Sequence, residues 1–266
     1  MAAEVDNAPA GRREHAGVSA LLLAAFALVC VMPVVPGTWH APMAAAGVLL
    51  LVITAATRDH EAVALSLFCA ILLAGVLVNP WRGWPMGLLL PLLVYVLLVG
   101  MIPSLRRAVG TPSWGRLDRV TVAFSVVTVV GSSAALVLWY RLARPDIADV
   151  RAMVPSLPGW MMPLAGLGFA VVNAVMEETI WRGILWRLLS RAVPSVWVVI
   201  AAQAASFGLI HIHGFPRGWA GVGMAALYGL FLGLIRHRAG GLGPPIVAHV
   251  FADVTIFAIL VLTMAR

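Results

Sequence analysis

Long apolar runs alternate with short polar interruptions along this chain. Runs long enough to cross about 30 Å of hydrocarbon lie at residues 17–35, 41–56, 62–79, 85–103, 120–140, 160–189, 195–210, 218–235 and 244–264. They are apolar all round and longer than the strands of about ten alternating residues that build membrane barrels. Lipid offers backbone N–H and C=O groups no partner, so each run has to close its own hydrogen bonds as a helix. The pattern predicts an all-α, polytopic transmembrane helix bundle of about nine spans. Several runs are short for a span, so eight is also consistent. Residues 1–16 are polar and read as a disordered cytoplasmic tail. The run at 17–35 reads as the first span and not a signal peptide: it outlasts a usual signal core, and no small-residue cleavage site follows it.

Composition agrees with the pattern. Of 266 residues, 62% are hydrophobic and 11% charged, against about 45–50% and about a quarter in a soluble domain. A soluble enzyme, a disordered chain and a secreted disulfide scaffold are excluded. Cys30 and Cys69 lie inside apolar runs and read as core residues, not as a bridge.

The net charge of +7 is carried by arginine, with no lysine in the chain. No basic-aromatic stretch or continuous basic face accompanies it, so nucleic acid is not a partner. The arginines instead sit between apolar runs, where they signal topology. With a cytoplasmic N-terminus, Arg12, Arg13, Arg58, Arg106, Arg107, Arg116, Arg119, Arg187, Arg191, Arg236 and Arg238 fall inside. Arg82, Arg141, Arg144, Arg151, Arg217 and Arg266 fall outside, which is 11 against 6 with Arg182 set apart as intramembrane. Trp39, Trp81, Trp84, Trp114, Trp139, Trp160 and Trp219 lie near run ends, as an aromatic belt would.

Chemistry divides the chain further. Residues 17–140 form an N-terminal accessory region of five runs with almost nothing ionisable inside them. A charged connector covers 141–159, and residues 160–266 carry four runs with nearly all the intramembrane polar groups. Placing a charge at the bilayer centre costs about 2.5–3.5 kcal/mol, yet Glu177, Glu178, Arg182 and Asp253 lie in apolar runs. Glu178 and Arg182 are four apart and share a helix face. Glu177 points about 100° away, on the face of Asn173, and has no built-in counter-ion. Phe207 and His211 form a second cluster, with His213 just beyond. His249 and Asp253 form a third, again one turn apart. Each has a bland reading: a structural ion pair, an interfacial histidine, a core hydrogen bond. Together, on consecutive runs, they suggest one shared polar cavity. No His-Glu-x-x-His zinc helix or Gly-x-Ser-x-Gly nucleophile turn is present.

The sequence Glu177-Glu178-x-x-x-Arg182, Phe207-x-x-x-His211 and His249-x-x-x-Asp253 resembles the three-motif pattern of the CAAX prenyl endopeptidase type II and bacteriocin-processing (CPBP) intramembrane proteases. The resemblance covers residues 160–264. It implies packed transmembrane helices around a conical cavity open to the cytosol and membrane. It implies catalytic roles for Glu177, His211, His249 and Asp253: Glu177 with His211 activates a water, and His249 with residue 253 steadies the oxyanion. Glu178 and Arg182 support the site. A glutamate-activated water needs no cofactor or metal, although the family has long been described as metalloproteases. The family commonly has asparagine where Asp253 stands, so Asp253 is either protonated or orients His249.

Depth poses a question. Glu177 falls near mid-membrane, His249 about 9 Å from the arginine-rich side, and His211 nearer the other side. Straight perpendicular helices keep these apart. Tilted, short or broken helices, which Pro163, Pro244, Pro245 and the glycines permit, bring them together. The expectation is an intramembrane glutamic endopeptidase of the bacterial plasma membrane, acting on a membrane-delivered protein or peptide. The alternatives are a non-enzymatic membrane scaffold or immunity protein with a structural polar cluster, or a transporter. Gly229-x-x-x-Gly233 can pack a helix closely, within or between chains.

Overall fold

The computed structural model describes residues 10–78 and 85–263. Most of the 1–16 tail, the residues Trp81, Arg82, Trp84 and Arg266, and the side chains of Arg12 and Arg13 lie outside this description. Twelve α-helices occur among the described residues: α1 Ala10–Val31, α2 His40–Ala56, α3 His60–Val78, α4 Met86–Met101, α5 Pro103–Val109, α6 Arg119–Ala143, α7 Ala148–Arg151, α8 Met162–Glu178, α9 Trp186–Ala192, α10 Val196–Ile210, α11 Gly218–Ala239 and α12 Gly243–Leu262. No strand occurs among these residues. The protein is a multi-pass membrane protein, a polytopic helical bundle. Helix α1 starts at Ala10, inside the stretch read as a tail.

Eight helical segments are long and apolar enough to span alone. The ninth predicted run, 85–103, is α4 and α5, bent by 110°. The bend follows from Pro103, which disfavours helical geometry in the residue before it. Ile102 is accordingly extended (φ −99°, ψ 105°). Contacts show that this pair crosses the bundle. Arg187 binds Glu61 at the start of α3 and also the carbonyls of Ala108 and Val109 at the end of α5. The chain leaves one face along α3 and returns to it by Val109, which favours one bent pass for α4 with α5; the described residues hold eight candidate spans, or nine with this pair.

The N-terminal region packs around α3. Small residues let its neighbours approach: Ala62, Ala64 and Cys69 are wholly buried, as is the larger Phe68, and Gly47 of α2 lies against Leu73. Cys69 is buried and Cys30 half-buried, and both are free thiols. In the C-terminal region glycine sets the helix spacing. A Cβ on Gly208 of α10 would stand 2.6 Å from the Val222 carbonyl of α11, and one on Gly233 would stand 2.5 Å from Gln203. The glycine pair at 229 and 233 therefore packs α11 onto α10 within the chain. Helix α12 lies between α6 and α8, joined to α6 by a 2.8 Å Ser133–Thr255 hydroxyl hydrogen bond.

Ion pairs sort onto two faces. Arg187–Glu61, Arg191–Asp59 and Arg238–Asp118 lie on the face with most of the arginines. Arg217–Asp149 and the Arg151–Thr263 hydrogen bond lie on the opposite face.

Candidate active site

Glu177 and Glu178 end α8, and the backbone then widens into a π-helical segment, Thr179–Leu185, before α9. Such a segment carries a local extra residue and recurs at functional sites. It breaks the long 160–189 run at the point where the two glutamates stand. Helix α10 is short, about 22 Å at 15 residues, and ends in a 3₁₀ turn, His211–His213. Helix α12 starts with Gly243-Pro244-Pro245, a first turn in which proline loses no hydrogen bond. The π-helical segment after α8 and the short α10 bear on the depth question. The Phe207 ring meets His211 at 4.7 Å and His249 at 5.9 Å between centroids.

Glu178 is fully buried and doubly engaged. Its Oε1 accepts from Arg182 Nη1 at 2.9 Å and from His249 Nδ1 at 2.7 Å. Arg182 is also fully buried. Its Nη2 donates to the Gly229 carbonyl at 3.1 Å, and its guanidinium lies 4.5 Å over the Phe207 ring. Gln203 donates to the same carbonyl at 3.0 Å. Gly229 is needed here, since a Cβ would press on Ala204, Phe207 and Arg182 within 3.1–3.3 Å. One carboxylate, one carbonyl and one aromatic face thus engage the buried charge, while Arg182 Nε and Glu178 Oε2 are buried without a hydrogen-bond partner.

Glu177 is held differently. Its Oε2 is buried without a hydrogen-bond partner and stands 3.6 Å from His249 Nε2. Asp253 Oδ1 stands 3.7 Å from the same nitrogen. Asn173 donates to Asp253 Oδ2 at 3.0 Å and also hydrogen-bonds Glu177. His249 therefore has one nitrogen fixed on Glu178 and the other between two carboxylates. Because a carboxylate only accepts, Asp253 meets Asn173 as an acceptor. His211 donates Nδ1–H to the Phe207 carbonyl at 2.8 Å, which leaves Nε2 as the acceptor of a neutral ring.

Glu177, His211, His249 and Asp253 all line one cavity of about 890 Å³. Asn173, Phe207 and Tyr228 line it with them, while Glu178 and Arg182 stand behind its wall. Tyr228 packs its ring edge-on to His249 at 5.6 Å, and its hydroxyl is buried without a partner. The walls are apolar and come partly from the N-terminal region: Met32, Leu72, Gly75 and Leu88 contribute. The sequence reading passed over Tyr228, whose aromatic ring in an apolar run carries no signal, and used Asn173 only as a marker of the face of Glu177. His213 also lines the cavity, although alternate residues do not share a helix face. It lies in the 3₁₀ turn beyond the helix. Among the described residues, no group of three or more His, Cys, Asp or Glu side chains is arranged to hold a metal ion.

Comparison with known families bears on the class. Residues 159–255 match the family model for Rce1-like proteins, described as type II CAAX prenyl endopeptidase Rce1-like. These residues form an Rce1-like domain. The match spans α8 to α12 and includes every polar residue of the cluster. At the coarse level, the match supports a protease for this domain. No curated protein and no solved structure matches the chain.

Proposed function

We propose that the protein is an intramembrane endopeptidase that hydrolyses a peptide bond in a membrane-delivered protein or peptide, using a water activated by Glu177. One observation carries this reading. Of two adjacent buried glutamates, Glu178 is neutralised by Arg182, while Glu177 has no arginine on it and lines the cavity beside His249. Two carboxylates in different environments are how acid and base roles separate.

The chemistry follows from the positions. Glu177, with the Nε2 lone pair of His211 facing the same space, accepts a proton from water as the oxygen attacks the scissile carbonyl. The oxyanion that forms needs donors placed in advance. With Nδ1–H given to Glu178, His249 offers Nε2–H only as the imidazolium, a form its carboxylate neighbours favour; that N–H and the Tyr228 hydroxyl are the donors at hand. Asp253, an acceptor for Asn173, serves by keeping His249 in place. Glu178 fixes the other face of that ring, and Arg182 fixes Glu178. The proton held at Glu177 passes to the leaving nitrogen, so that water adds as OH to carbon and H to nitrogen. The setting we assign is a bacterial plasma membrane. The test is to compare membrane peptides in cells making the parent protein and the Glu177→Gln variant. Peptides processed only by the parent support the proposal; identical peptide sets contradict it.

A further inference from the structure

We infer that the active-site cavity opens on the extracytoplasmic face of the membrane, so that the enzyme draws an uncharged, apolar peptide segment from that side. Cleavage of that segment rests on the function proposed above; the direction of opening does not. Helix α12 serves as a ruler. His249, six residues from its start, is about 9 Å deep from the arginine-rich face, and Leu260 is about 26 Å deep. Both line the cavity, which therefore runs from mid-bundle towards the far face. Every other boundary agrees. The end of α3 contributes Gly75 and Val76, the start of α4 contributes Gly87 and Leu88, and the connector and the α10–α11 link contribute Met153 and Phe215. The opposite chain turns, at residues 57–60, 106–119, 187–196 and 236–243, contribute no lining residue.

Charge then assigns the sides. Arg58, Arg106, Arg107, Arg116, Arg119, Arg187, Arg191, Arg236 and Arg238 gather at the closed face, and Arg141, Arg144, Arg151 and Arg217 at the open one. Arginine excess marks the cytoplasmic side. The mouth thus faces away from the cytoplasm, opposite to the opening that the family resemblance implies. The wall between mouth and cluster is greasy, with Leu136, Val154, Phe169, Phe257 and Leu260. At the rim, Asp149 is already paired with Arg217 at 2.8 Å. Such a wall fits an apolar stretch of polypeptide, the chemistry of a membrane-anchoring segment of an exported protein.

Single cysteines test the direction. In a Cys30→Ala, Cys69→Ala background, Met153→Cys reports the mouth and Trp114→Cys the closed face; the native side chains are 52% and 61% exposed. Intact bacterial cells are treated with a membrane-impermeant sulfonated maleimide. Labelling of Met153→Cys in cells, with Trp114→Cys labelled only in inverted vesicles, is the expected result. Labelling of Trp114→Cys in intact cells, or protection of Met153→Cys there, overturns the inference. A reporter in the native-cysteine chain covers failure of the background to fold: alkaline phosphatase fused after Thr263 is expected to be active, and an inactive fusion overturns the inference. Labelling needs no catalysis and is expected unchanged in Glu177→Gln, so failure of the protease reading and failure of the sidedness show separately.

Discussion

His249 is held by Glu178, not by Glu177: its Nδ1 lies 2.7 Å from Glu178 Oε1, while its Nε2 stands 3.6 Å from Glu177 Oε2. The adjacent glutamates thus divide the histidine between them. One anchors it, and the other stands beside it on the cavity wall. Arg182 makes the division possible, because it neutralises the anchor and leaves the second glutamate without an arginine.

The anchor's structural and chemical duties are separable. Glu178→Ala leaves Arg182 buried without its carboxylate, a loss of about 3–5 kcal/mol. The double change Glu178→Leu with Arg182→Leu removes both charges, and its stability is expected to return close to the parent's. Its activity is expected to stay lost, because His249 has no partner on Nδ1. Thermal unfolding in detergent together with a cleavage assay checks both halves; a double variant that is stable and fully active contradicts the anchoring role.

Gly208 is fixed by spacing. A methyl group there meets the Val222 carbonyl at 2.6 Å and Ala226 at 2.8 Å, backbone and side chain of the adjacent helix. Gly208→Ala is expected to destabilise by about 1–3 kcal/mol and to displace Phe207 and His211. Gly168→Ala meets nothing within 4 Å and is expected to stabilise slightly, since alanine is the better helix former. The two melting temperatures should move in opposite directions.

The connector over the cavity mouth is predicted to loosen only in strong acid. The Arg217 hydrogen bond is the main cause that lowers the Asp149 pKa from its ordinary 3.8. A carboxylate lowered on folding contributes stability above its unfolded value and loses it as pH falls through the folded one. Hydrogen exchange of residues 148–151, corrected for intrinsic rates, should therefore be flat from pH 8 to about 5 and rise below pH 3.8. Asp149→Asn should exchange fast throughout, and loosening of the parent near neutrality contradicts the clasp.

Much of this was legible in the sequence because lipid is an unforgiving solvent. Runs that must satisfy their own backbone declare themselves by length: eight of the nine appear as spans, and the 85–103 run appears as a helix pair bent at Pro103. Glu177, Glu178, Arg182 and Asp253 stood out because charge in hydrocarbon is costly. Less was legible where the cause is three-dimensional. Nothing in Thr179–Leu185 announces a π-helical segment. The Asn173–Asp253 contact joins residues 80 apart, and Tyr228 looks like any apolar-run aromatic. The accessory region carried no chemical signal, yet Met32, Leu72 and Leu88 help wall the cavity.

The most direct test of the glutamate mechanism is the cleavage rate of purified protein in proteoliposomes with a membrane peptide that the parent processes. Removing a general base is expected to slow the reaction by about 10²–10⁴-fold. The account predicts that Glu177→Gln, folded with the parent's melting temperature, shows that loss while the parent keeps its rate in chelator. Cleavage by Glu177→Gln at the parent rate would contradict it.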